Sequence, residues 1–481
     1  MRLQLLAAAT AITVALTGCV SSGGLHPHGT LTEAASLHAS RSLAGIPAVP
    51  DAWPAADWWK QLGDAQLDAL IAEALQNNPG LAAADARSRA AQAQAGLANA
   101  ALAPSVNGGA SVAGARIPET VLPKGGHFNV AKYGYASFKW GLDLWGGERA
   151  AWQAAVGASR AAEVAAHAAR VELSGNVARA YAQLGAAFTQ QDLAQAELKR
   201  ASAARELTRQ RVAAGIDNRI QLQQGDAEVA SAQQGLAMAG QAVVSARSAL
   251  SVLLGEGPDR GLQIQRPQTL ALAELVVPEN LPLGLLGHRA DLVAARWRVE
   301  AAGKDIKAAK TEFLPNISLG AMAGVIALGG GNPLQLPARF YEFGPSLSLP
   351  IFDGGRLRAN LSGKDAAFDL AVAQYNQKLV DAVDEVAEDY AMLQSLDEQI
   401  AAQRRARDAA QGAWQLAQER YQAGVGSFLE ALTVRQQLLR AEQGMAALDA
   451  HRVDLSLQLV QALGGGFQPS TPPVATTSDH S

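Results

Sequence analysis

The sequence predicts an α+β membrane protein made of two structural repeats, and three observations lead to that class. Two turns, residues 211–218 and 420–427, each join long alanine-rich helical stretches and lie 209 residues apart. In each half the period of the apolar residues changes from 3.6 to 2 and back again, which indicates two strands between helices. A short apolar run at the N-terminus ends at the only cysteine, Cys19. Because a repeat at a fixed offset decides the fold, each half is predicted as helix, strand, strand, very long helix, turn and long helix.

Other segments recur at nearly the same offset and in the same order. Residues 142–149 match residues 349–356, and residues 253–255 match residues 462–464. Leu81 and Leu102 match Leu292 and Phe313 with the same separation of 21 residues within each half. Four coincidences in one order indicate a duplicated unit rather than chance similarity of alanine-rich helices.

The composition narrows the class of protein. The chain has 40 basic and 44 acidic residues, a net charge of −4, so neither nucleic acid nor an anionic surface is predicted as a partner. A single cysteine allows no internal disulfide. No paired carboxylates, nucleophile motif, phosphate-binding loop or metal-ligand spacing rises above background, so we predict no enzyme, no metal and no cofactor other than a covalent lipid.

The N-terminus is typical of a secreted and lipid-modified protein. A basic Arg2 precedes an apolar run that is too short for a membrane span and that ends at Cys19. This arrangement resembles a bacterial lipobox, which implies a signal peptide of residues 1–18 and a lipid on Cys19. Because Val20 follows rather than aspartate, the resemblance points to the outer membrane. Residues 19–56, rich in Ser, Gly, Pro and His, are predicted as a tether.

The first repeat is predicted over residues 57–256. Asp64 is placed as the N-cap of an amphipathic helix that ends at Asn78 and Pro79. Strands follow at about 105–118 and 128–144, and a long helix pair occupies about 147–254. Residues 257–280 are the predicted linker between the repeats.

The second repeat is predicted over residues 281–466, with strands at about 316–328 and 340–352 and a helix pair at about 354–463. Pro345 and Pro350 fit strand ends or bulges better than a sheet interior. Residues 467–481 are rich in Pro, Thr and Ser and are predicted to be disordered.

The predicted strands reach the length that suits a tilted transmembrane strand, ~10 residues. Three of them alternate apolar and polar residues, whereas residues 105–116 alternate poorly and are placed as a strand by their position in the repeat. Lys132 interrupts the apolar face near the expected loop end. An ordinary half-buried sheet gives the same alternation, and the lipid signal favours the membrane. Four strands cannot close a barrel, so copies must pool them: two copies would give eight strands and three would give twelve.

The helical stretches carry coiled-coil seams. Residues 147–213 contain no proline and would span ~100 Å as one helix. Apolar residues recur every three or four positions in both long helices, and Gly255 and Gly464 are predicted as C-terminal caps. The seams are Leu173, Val177, Ala180, Leu184 and Ala187, and Leu379, Val383, Val386, Tyr390 and Leu393. Helices of this length exceed a bilayer and are expected to stand in water.

Taken together, these residues resemble the TolC-like outer-membrane factor family, specifically its lipoprotein branch in tripartite efflux systems. The match extends from about Asp57 to Gly466. Its carriers are the lipobox, Asp57-Trp58-Trp59-Lys60 with Asp64 and Leu67, residues 77–81, residues 143–146, residues 350–355 and the Arg420-Tyr421-x-x-Gly424 turn. The resemblance implies a homotrimer with a twelve-stranded outer-membrane barrel that continues as a helical tunnel across the periplasm.

The resemblance also implies a mechanism. A passive conduit would carry small molecules outward, and an inner-membrane transporter would supply the energy. A periplasmic adaptor would dock at the two turns, whose residues are Gly215, Ile216, Asp217, Asn218, Gly424, Val425, Gly426 and Ser427. The closed aperture would be formed by Leu429, Glu430 and Thr433, although relatives often carry an acidic residue where Thr433 stands. Ala290 likewise replaces a usual proline, which leaves the start of the following helix open.

Two rival interpretations share parts of this pattern. One is a lipid-anchored coiled-coil scaffold without a pore. The other, with the same fold, is the outer component of a type I protein secretion system.

Overall fold

A computed structural model describes residues 21–39, 41–44, 47–50, 52–116, 118–120, 126, 128–272, 276–278, 281–329 and 331–468. The predicted signal peptide, Cys19 and the tail from residue 469 lie outside these ranges. The described chain is mostly helical with one main sheet, which confirms the α+β composition.

The described residues of the first repeat form four α-helices and two strands. In chain order they are α1 (Ala65–Asn77), α2 (Pro79–Ala100), β1 (Ser105–Arg116), β2 (Phe128–Leu142), α3 (Gly147–Ala213) and α4 (Arg219–Leu254), and the short α5 (Pro258–Leu262) follows in the linker. Helix α3 is continuous over 67 residues, as the absence of proline predicted. Asp64 caps α1, because its carboxylate accepts hydrogen bonds from the amides of Gln66 and Leu67.

The second repeat follows the same order. It comprises α6 (Leu281–His288), α7 (Ala290–Thr311), β3 (Asn316–Leu328), β4 (Arg339–Ser348), α8 (Arg356–Gln422) and α9 (Phe428–Ala462). Helix α7 begins directly at Ala290 without the proline of the family pattern. Arg289 supports this junction, since its guanidinium binds Asp291, Glu385 and the carbonyl oxygen of Ala462.

The chain divides into two compact units. The sheet unit comprises residues 87–163 and 294–376 together with 21–31, and the helical unit comprises the remaining described residues. In the sheet unit β1, β2, β3 and β4 form one antiparallel sheet in that order, so β1 and β4 are its edges among the described strands.

The register gives the sheet one apolar and one polar face. Residues directly opposite one another share a face, and Val106, Phe138, Ala321 and Phe343 lie in one such row. The apolar face continues through Val112, Val130, Ala136, Trp140, Leu142, Ile317, Leu319, Ala323, Val325, Tyr341 and Leu347. The opposite face carries Asn107, Ser111, Tyr133, Tyr135, Ser137, Lys139, Ser318, Glu342, Ser346 and Ser348. The alternation read from the sequence in β2, β3 and β4 therefore runs in register, and β1, whose own alternation is poor, pairs in the same register.

Three of the strands end earlier than the sequence predicted. Strand β2 stops at Leu142 rather than 144, because the Asp143 carboxylate turns back to cap α3 through the amides of Glu148 and Arg149. Strand β4 stops at Ser348 rather than 352, and Asp353 caps α8 through the amides of Gly355 and Leu357. Strand β1 ends at Arg116 rather than 118, before Pro118. Pro345 lies within β4, and this edge strand tolerates it.

Residues 21–31 form a strap along α8 rather than the free tether that their composition predicted. Arg358 donates from Nη1 to the carbonyl oxygens of Ser21 (2.6 Å) and Gly23 (3.2 Å). The amides of His28 and Gly29 donate to Asp369 Oδ1 at 2.8 and 2.6 Å. Leu25 packs against a small core that contains Leu361 and Phe313. The start of the described chain is thereby held beside the first turns of α8.

Asp369→Ala is expected to loosen the strap. Each amide loses a hydrogen bond to a charged acceptor, so amide exchange at His28 and Gly29 is expected to accelerate about tenfold. Hydrogen exchange with mass spectrometry measures this rate. Asp381→Ala is the matched control, because that carboxylate binds only Gln377 of its own helix among the described residues. Equal exchange in the two variants would contradict the strap.

The helical unit has its main core where α1, α3 and α4 meet. Leu67, Ile71, Tyr181, Leu184 and Leu250 are buried there, with Asp64 accepting from the Tyr181 hydroxyl at 2.8 Å. The predicted seams are buried: Val177, Leu184, Leu379, Val386 and Tyr390 have no exposed surface. Gly255 and Gly464 both adopt left-handed backbone at the ends of α4 and α9, as expected for C-terminal caps.

Candidate functional site at the two helical turns

The two turns have the same backbone hydrogen bonds. After α3, the amides of Ile216 and Asp217 both donate to the carbonyl oxygen of Arg211, at 2.9 and 3.3 Å. After α8, the amides of Val425 and Gly426 donate to the carbonyl oxygen of Arg420, both at 3.0 Å. Gly215 and Gly424 reverse the chain with φ of 73° and 78°, a conformation that favours glycine. The duplicated sequence motif thus makes a duplicated local structure.

Both return helices begin at a side-chain cap. Asn218 Oδ1 accepts from the amides of Ile220 and Gln221, and Gln221 Oε1 accepts from the amide of Asn218. Ser427 Oγ accepts from the amide of Glu430 at 3.0 Å. These caps satisfy free amides in the first turns of α4 and α9 and so stabilise the start of each return helix directly after its turn.

The tips themselves are apolar. Ile216 is 63% exposed and Val425 is 68% exposed, at equivalent positions of the two turns. Because Ile216 and Val425 are exposed at equivalent positions of the two turns, they are candidate contacts for the end of a helix from a partner protein. The predicted docking residues therefore divide by role: Gly215 and Gly424 shape the backbone, Asn218 and Ser427 cap, and Ile216 and Val425 face outward.

A cluster of four side chains ties the first turn to the second. The Tyr421 hydroxyl donates to Asp217 Oδ2 at 2.7 Å, and Arg211 Nε donates to the same oxygen at 2.8 Å. Arg211 Nη1 also donates to the carbonyl oxygen of Tyr421 at 3.2 Å. The guanidinium carbon lies 4.5 Å from the centre of the Tyr421 ring, and Thr208 Oγ1 lies 3.3 Å from the Tyr421 hydroxyl. We name Thr208, Arg211, Asp217 and Tyr421 the turn cluster.

The turn cluster uses two of the five positions at which the repeated turns differ. Val212 in the first turn corresponds to Tyr421 in the second, and Asp217 corresponds to Gly426. A side chain at 426 would meet Arg420 at about 3.0 Å, so the second turn has no room there. Asp217 was predicted at this site, but its hydrogen bond to Tyr421 was not. The difference between the two repeats at these positions is the sequence signal that could have indicated it.

Charge and burial in the turn cluster oppose each other. Burial raises the pKa of Asp217, but the hydrogen bonds from Arg211 and Tyr421 outweigh it and leave this pKa below its usual value of 3.8. Burial is also the main cause that raises the pKa of Tyr421. At neutral pH the carboxylate is therefore ionised and the phenol is a donor, which is the arrangement that the bonds require.

The three predicted aperture residues lie on the first turns of α9. Leu429, Glu430 and Thr433 are all exposed in the single chain. Thr433 Oγ1 donates to the carbonyl oxygen of Leu429 at 2.8 Å, and Glu430 lies 3.9 Å from Arg420. The structure brings them to one surface beside the turn cluster.

A second polar cluster, which sequence analysis missed, joins three helices. Arg435 of α9 is 4% exposed and lies between Glu197 of α3 (3.1 Å) and Glu228 of α4 (2.8 Å). Arg200 pairs with Glu442 at 2.9 Å and with Glu197 at 3.4 Å. Burial raises the pKa of Glu197 against the lowering effect of Arg435 and Arg200. These five residues are the interhelical ion cluster, and a cavity of about 390 Å³ lies next to Arg435 and Tyr421.

Paired helical hairpins and a sheet with one apolar face define the class of outer-membrane channel components. Within that class, the model of the outer membrane efflux protein family matches residues 70–256 and 281–465. The chain belongs to this family.

Relatives of known role are similar over most of their length. The multidrug resistance outer membrane protein MdtP of Escherichia coli K12 is 34% identical over 431 residues, 86% of this chain and 87% of MdtP. The fusaric acid resistance protein FusA of Burkholderia cepacia is 35% identical, covering 75% of this chain and 69% of FusA. The pyoverdine export outer membrane protein OpmQ of Pseudomonas aeruginosa is 30% identical, covering 87% of this chain and 89% of OpmQ.

Solved structures support the same fold. The outer membrane protein VceC of Vibrio cholerae is 35% identical with a TM-score of 0.81, covering 86% of this chain and all of VceC. The outer-membrane channel OprN is 26% identical with a TM-score of 0.82, covering 94% of this chain and 99% of OprN. The chain is thus a TolC-like outer-membrane efflux protein.

Proposed function

We propose that the chain forms the outer-membrane conduit of a tripartite efflux system, as a homotrimer whose pooled strands make a twelve-stranded barrel. The observation that carries the proposal is the sheet with a continuous apolar face and two open edges among the described strands. On that face Tyr341 is 81% exposed, Phe343 79% and Val106 72%. Lipid would cover these side chains, and neighbouring copies would pair the edges whose amides and carbonyls cannot stay free in lipid.

Helix α4 gives a second argument for several copies. Within the described residues it is the one helix that is long and apolar enough to cross a membrane, and most of its apolar stretch is exposed. Its ends are capped by Asn218 and Gly255, and it carries Asp226, Glu228 and Arg247. A charged and capped hairpin helix suits packing against another copy better than insertion into lipid. Three copies follow from the family resemblance rather than from this surface.

In this mechanism the conduit is passive and opens at its periplasmic end. The turn cluster holds the second hairpin to the first and keeps the aperture of Leu429, Glu430 and Thr433 closed. An adaptor that contacts Ile216 and Val425 would favour a state in which the hairpins shift and the turn cluster breaks. The inner-membrane transporter supplies the energy and selects the substrate.

The relatives favour small molecules as cargo over secreted proteins. MdtP, FusA and OpmQ are named for multidrug resistance, fusaric acid resistance and pyoverdine export. A role in type I protein secretion would share the fold but not these relatives.

The lipid on Cys19 is the second membrane anchor in this proposal. The strap holds residue 21 beside the first turns of α8, two positions after Cys19. Both the strands and the lipid would attach the protein to the outer membrane, whereas the scaffold without a pore would depend on the lipid alone.

The Cys19→Ser variant, directed through the same secretion route by an ordinary signal peptide, tests these alternatives. We expect loss of acyl labelling, retention of the protein in carbonate-washed outer membranes, and restored drug resistance in a strain that lacks its own channel but keeps adaptor and transporter. Retention is expected because twelve strands bury far more apolar surface than one lipid. Release of the variant into the soluble fraction would instead support the scaffold.

A further inference from the structure

The apolar face of the sheet carries three charged side chains, and all three are basic. They are Arg116, Lys132 and Arg339, on β1, β2 and β4. Each lies towards the strand ends that are remote from α3 and α8: Arg116 ends β1, Arg339 begins β4, and Lys132 is five residues into β2. We name these three residues the basic rim.

The other end of the same face is uncharged. Val106, Trp140, Leu319 and Leu347 occupy it, close to the strand ends that lead to the helices. No acidic residue lies on the apolar face in the described strands, whose one carboxylate, Glu342, belongs to the polar face. The sheet is therefore electrically asymmetric along its strands, with positive charge at one end only.

The basic rim has no anionic partner within the described part of the chain. None of its three residues makes an ion pair there, and Arg116 and Arg339 are exposed. A cation on a lipid-facing strand is strongly destabilising at the bilayer midplane and nearly neutral at the interface. Three such cations at one end consequently mark the level at which the apolar face leaves hydrocarbon and meets headgroups.

We propose that the basic rim binds the phosphate groups of lipid headgroups in the outer leaflet of the outer membrane. This inference rests on the proposed barrel, in which the helices stand in the periplasm and the remote strand ends reach the outer leaflet. Phosphate suits the site for two reasons. Arginine binds a phosphate group through two parallel hydrogen bonds. Basic residues close to a membrane surface are also attracted to anionic lipid headgroups.

The spacing fits lipid headgroups better than one small anion. Arg339 shares a row with Val325 and Gly134, and Lys132 lies two residues beyond Gly134. The spacing between strands and the rise per residue place the Cα atoms of Lys132 and Arg339 ~12 Å apart and those of Lys132 and Arg116 ~14 Å apart. Each pair is too far apart to clamp one phosphate and close enough for the phosphates of neighbouring or doubly phosphorylated lipids.

In an assembly of several copies, the edge strands β1 and β4 would join the basic rim of one copy to that of the next. Arg116 lies on β1 and Arg339 on β4, so pairing of β1 with β4 of another copy brings basic residues from both chains to one end of the barrel. Three copies would carry a band of basic residues around the whole barrel at headgroup level.

The test is native mass spectrometry of the detergent-purified trimer, titrated with doubly phosphorylated lipid A and with its dephosphorylated form. We expect the wild-type trimer to bind the phosphorylated lipid at least tenfold more tightly than the dephosphorylated one. The R116Q/K132Q/R339Q variant is expected to lose this preference. Lys139→Gln, on the polar face of β2, is the matched control and is expected to behave as wild type.

Two further readouts separate the possible outcomes. Excess inorganic phosphate is expected to leave the bound lipid in place, and displacement would assign the site to free phosphate and overturn the lipid proposal. Equal lipid binding by the triple variant and wild type would also overturn it. Trimer mass and conductance in neutral phosphatidylcholine report on the proposed channel alone and are expected to be unchanged in the variant. If the triple variant does not assemble, Arg339→Gln against Arg339→Lys makes the same comparison with one charge.

Discussion

Asp217→Asn is expected to shift the channel from closed to open. The substitution removes the charged acceptor of both Tyr421 and Arg211, and Arg211 has a side chain only 12% exposed. Hydrogen bonds to a charged group contribute about 1.5–3 kcal/mol, which corresponds to roughly a 10- to 100-fold change in the closed-to-open ratio. Single-channel recording of the purified protein in planar bilayers measures this ratio.

A milder variant and a control variant are compared with the effect of Asp217→Asn on channel opening. Tyr421→Phe removes one hydrogen bond and keeps the ring over Arg211, so a smaller shift in the same direction is expected. Asp226→Asn is the matched control, because Asp226 pairs with Arg205 within the first hairpin and does not connect the two turns. If Asp217→Asn opened the channel no more than Asp226→Asn, the turn cluster would not hold the aperture closed.

The pKa of Asp217 also sets the pH dependence of closure. Because this pKa is lowered from 3.8, the carboxylate contributes its full stabilisation above that value and loses it only as pH falls through the lower value. We expect equal open probability from pH 5 to pH 8. A transition near pH 6 would show that a different group controls the turns.

Arg435→Met is expected to destabilise the helical unit more than any surface change. It leaves Glu228 without its cation and Glu197 with only the longer pair to Arg200 at 3.4 Å, and Glu197 has a side chain only 8% exposed. Breaking a buried ion pair from one side costs about 3–5 kcal/mol, so the thermal unfolding midpoint of the purified protein is expected to fall by several degrees.

The charge of the interhelical ion cluster, rather than the shape of Arg435, is the expected cause. Adding Glu197→Gln and Glu228→Gln to Arg435→Met removes the unpaired carboxylates and is expected to recover most of the midpoint. Arg296→Met breaks the exposed pair with Glu300 and is expected to change the midpoint little. A triple variant as unstable as Arg435→Met would assign the loss to packing instead.

The elements of the fold could be predicted because they depend on local patterns. Proline-free length predicted α3, alternation predicted the two faces of the sheet, and Asp64 and Gly255 marked helix ends. The missed strand ends depend on the side chains of Asp143 and Asp353, whose bonds to helix amides outcompete extended backbone.

The contacts that carry function were less visible in the sequence. Asp217 and Tyr421 are 204 residues apart, and Gly29 and Asp369 are 340 residues apart. Hydrogen bonds over such separations cannot be predicted from the local periodicity of the sequence. The turns were found because they repeat, whereas the turn cluster depends on where the repeats diverge. Comparison of the two halves position by position is therefore the sequence signal closest to the site.

The protein mass of the detergent-purified particle, corrected for bound detergent, gives the number of copies that build the channel. Each chain supplies four strands with open edges in its described sheet, so a channel needs several copies. We expect three copies per particle and a twelve-stranded barrel. A monomer that stays soluble without detergent would contradict the channel, and a particle of two copies would contradict the trimer.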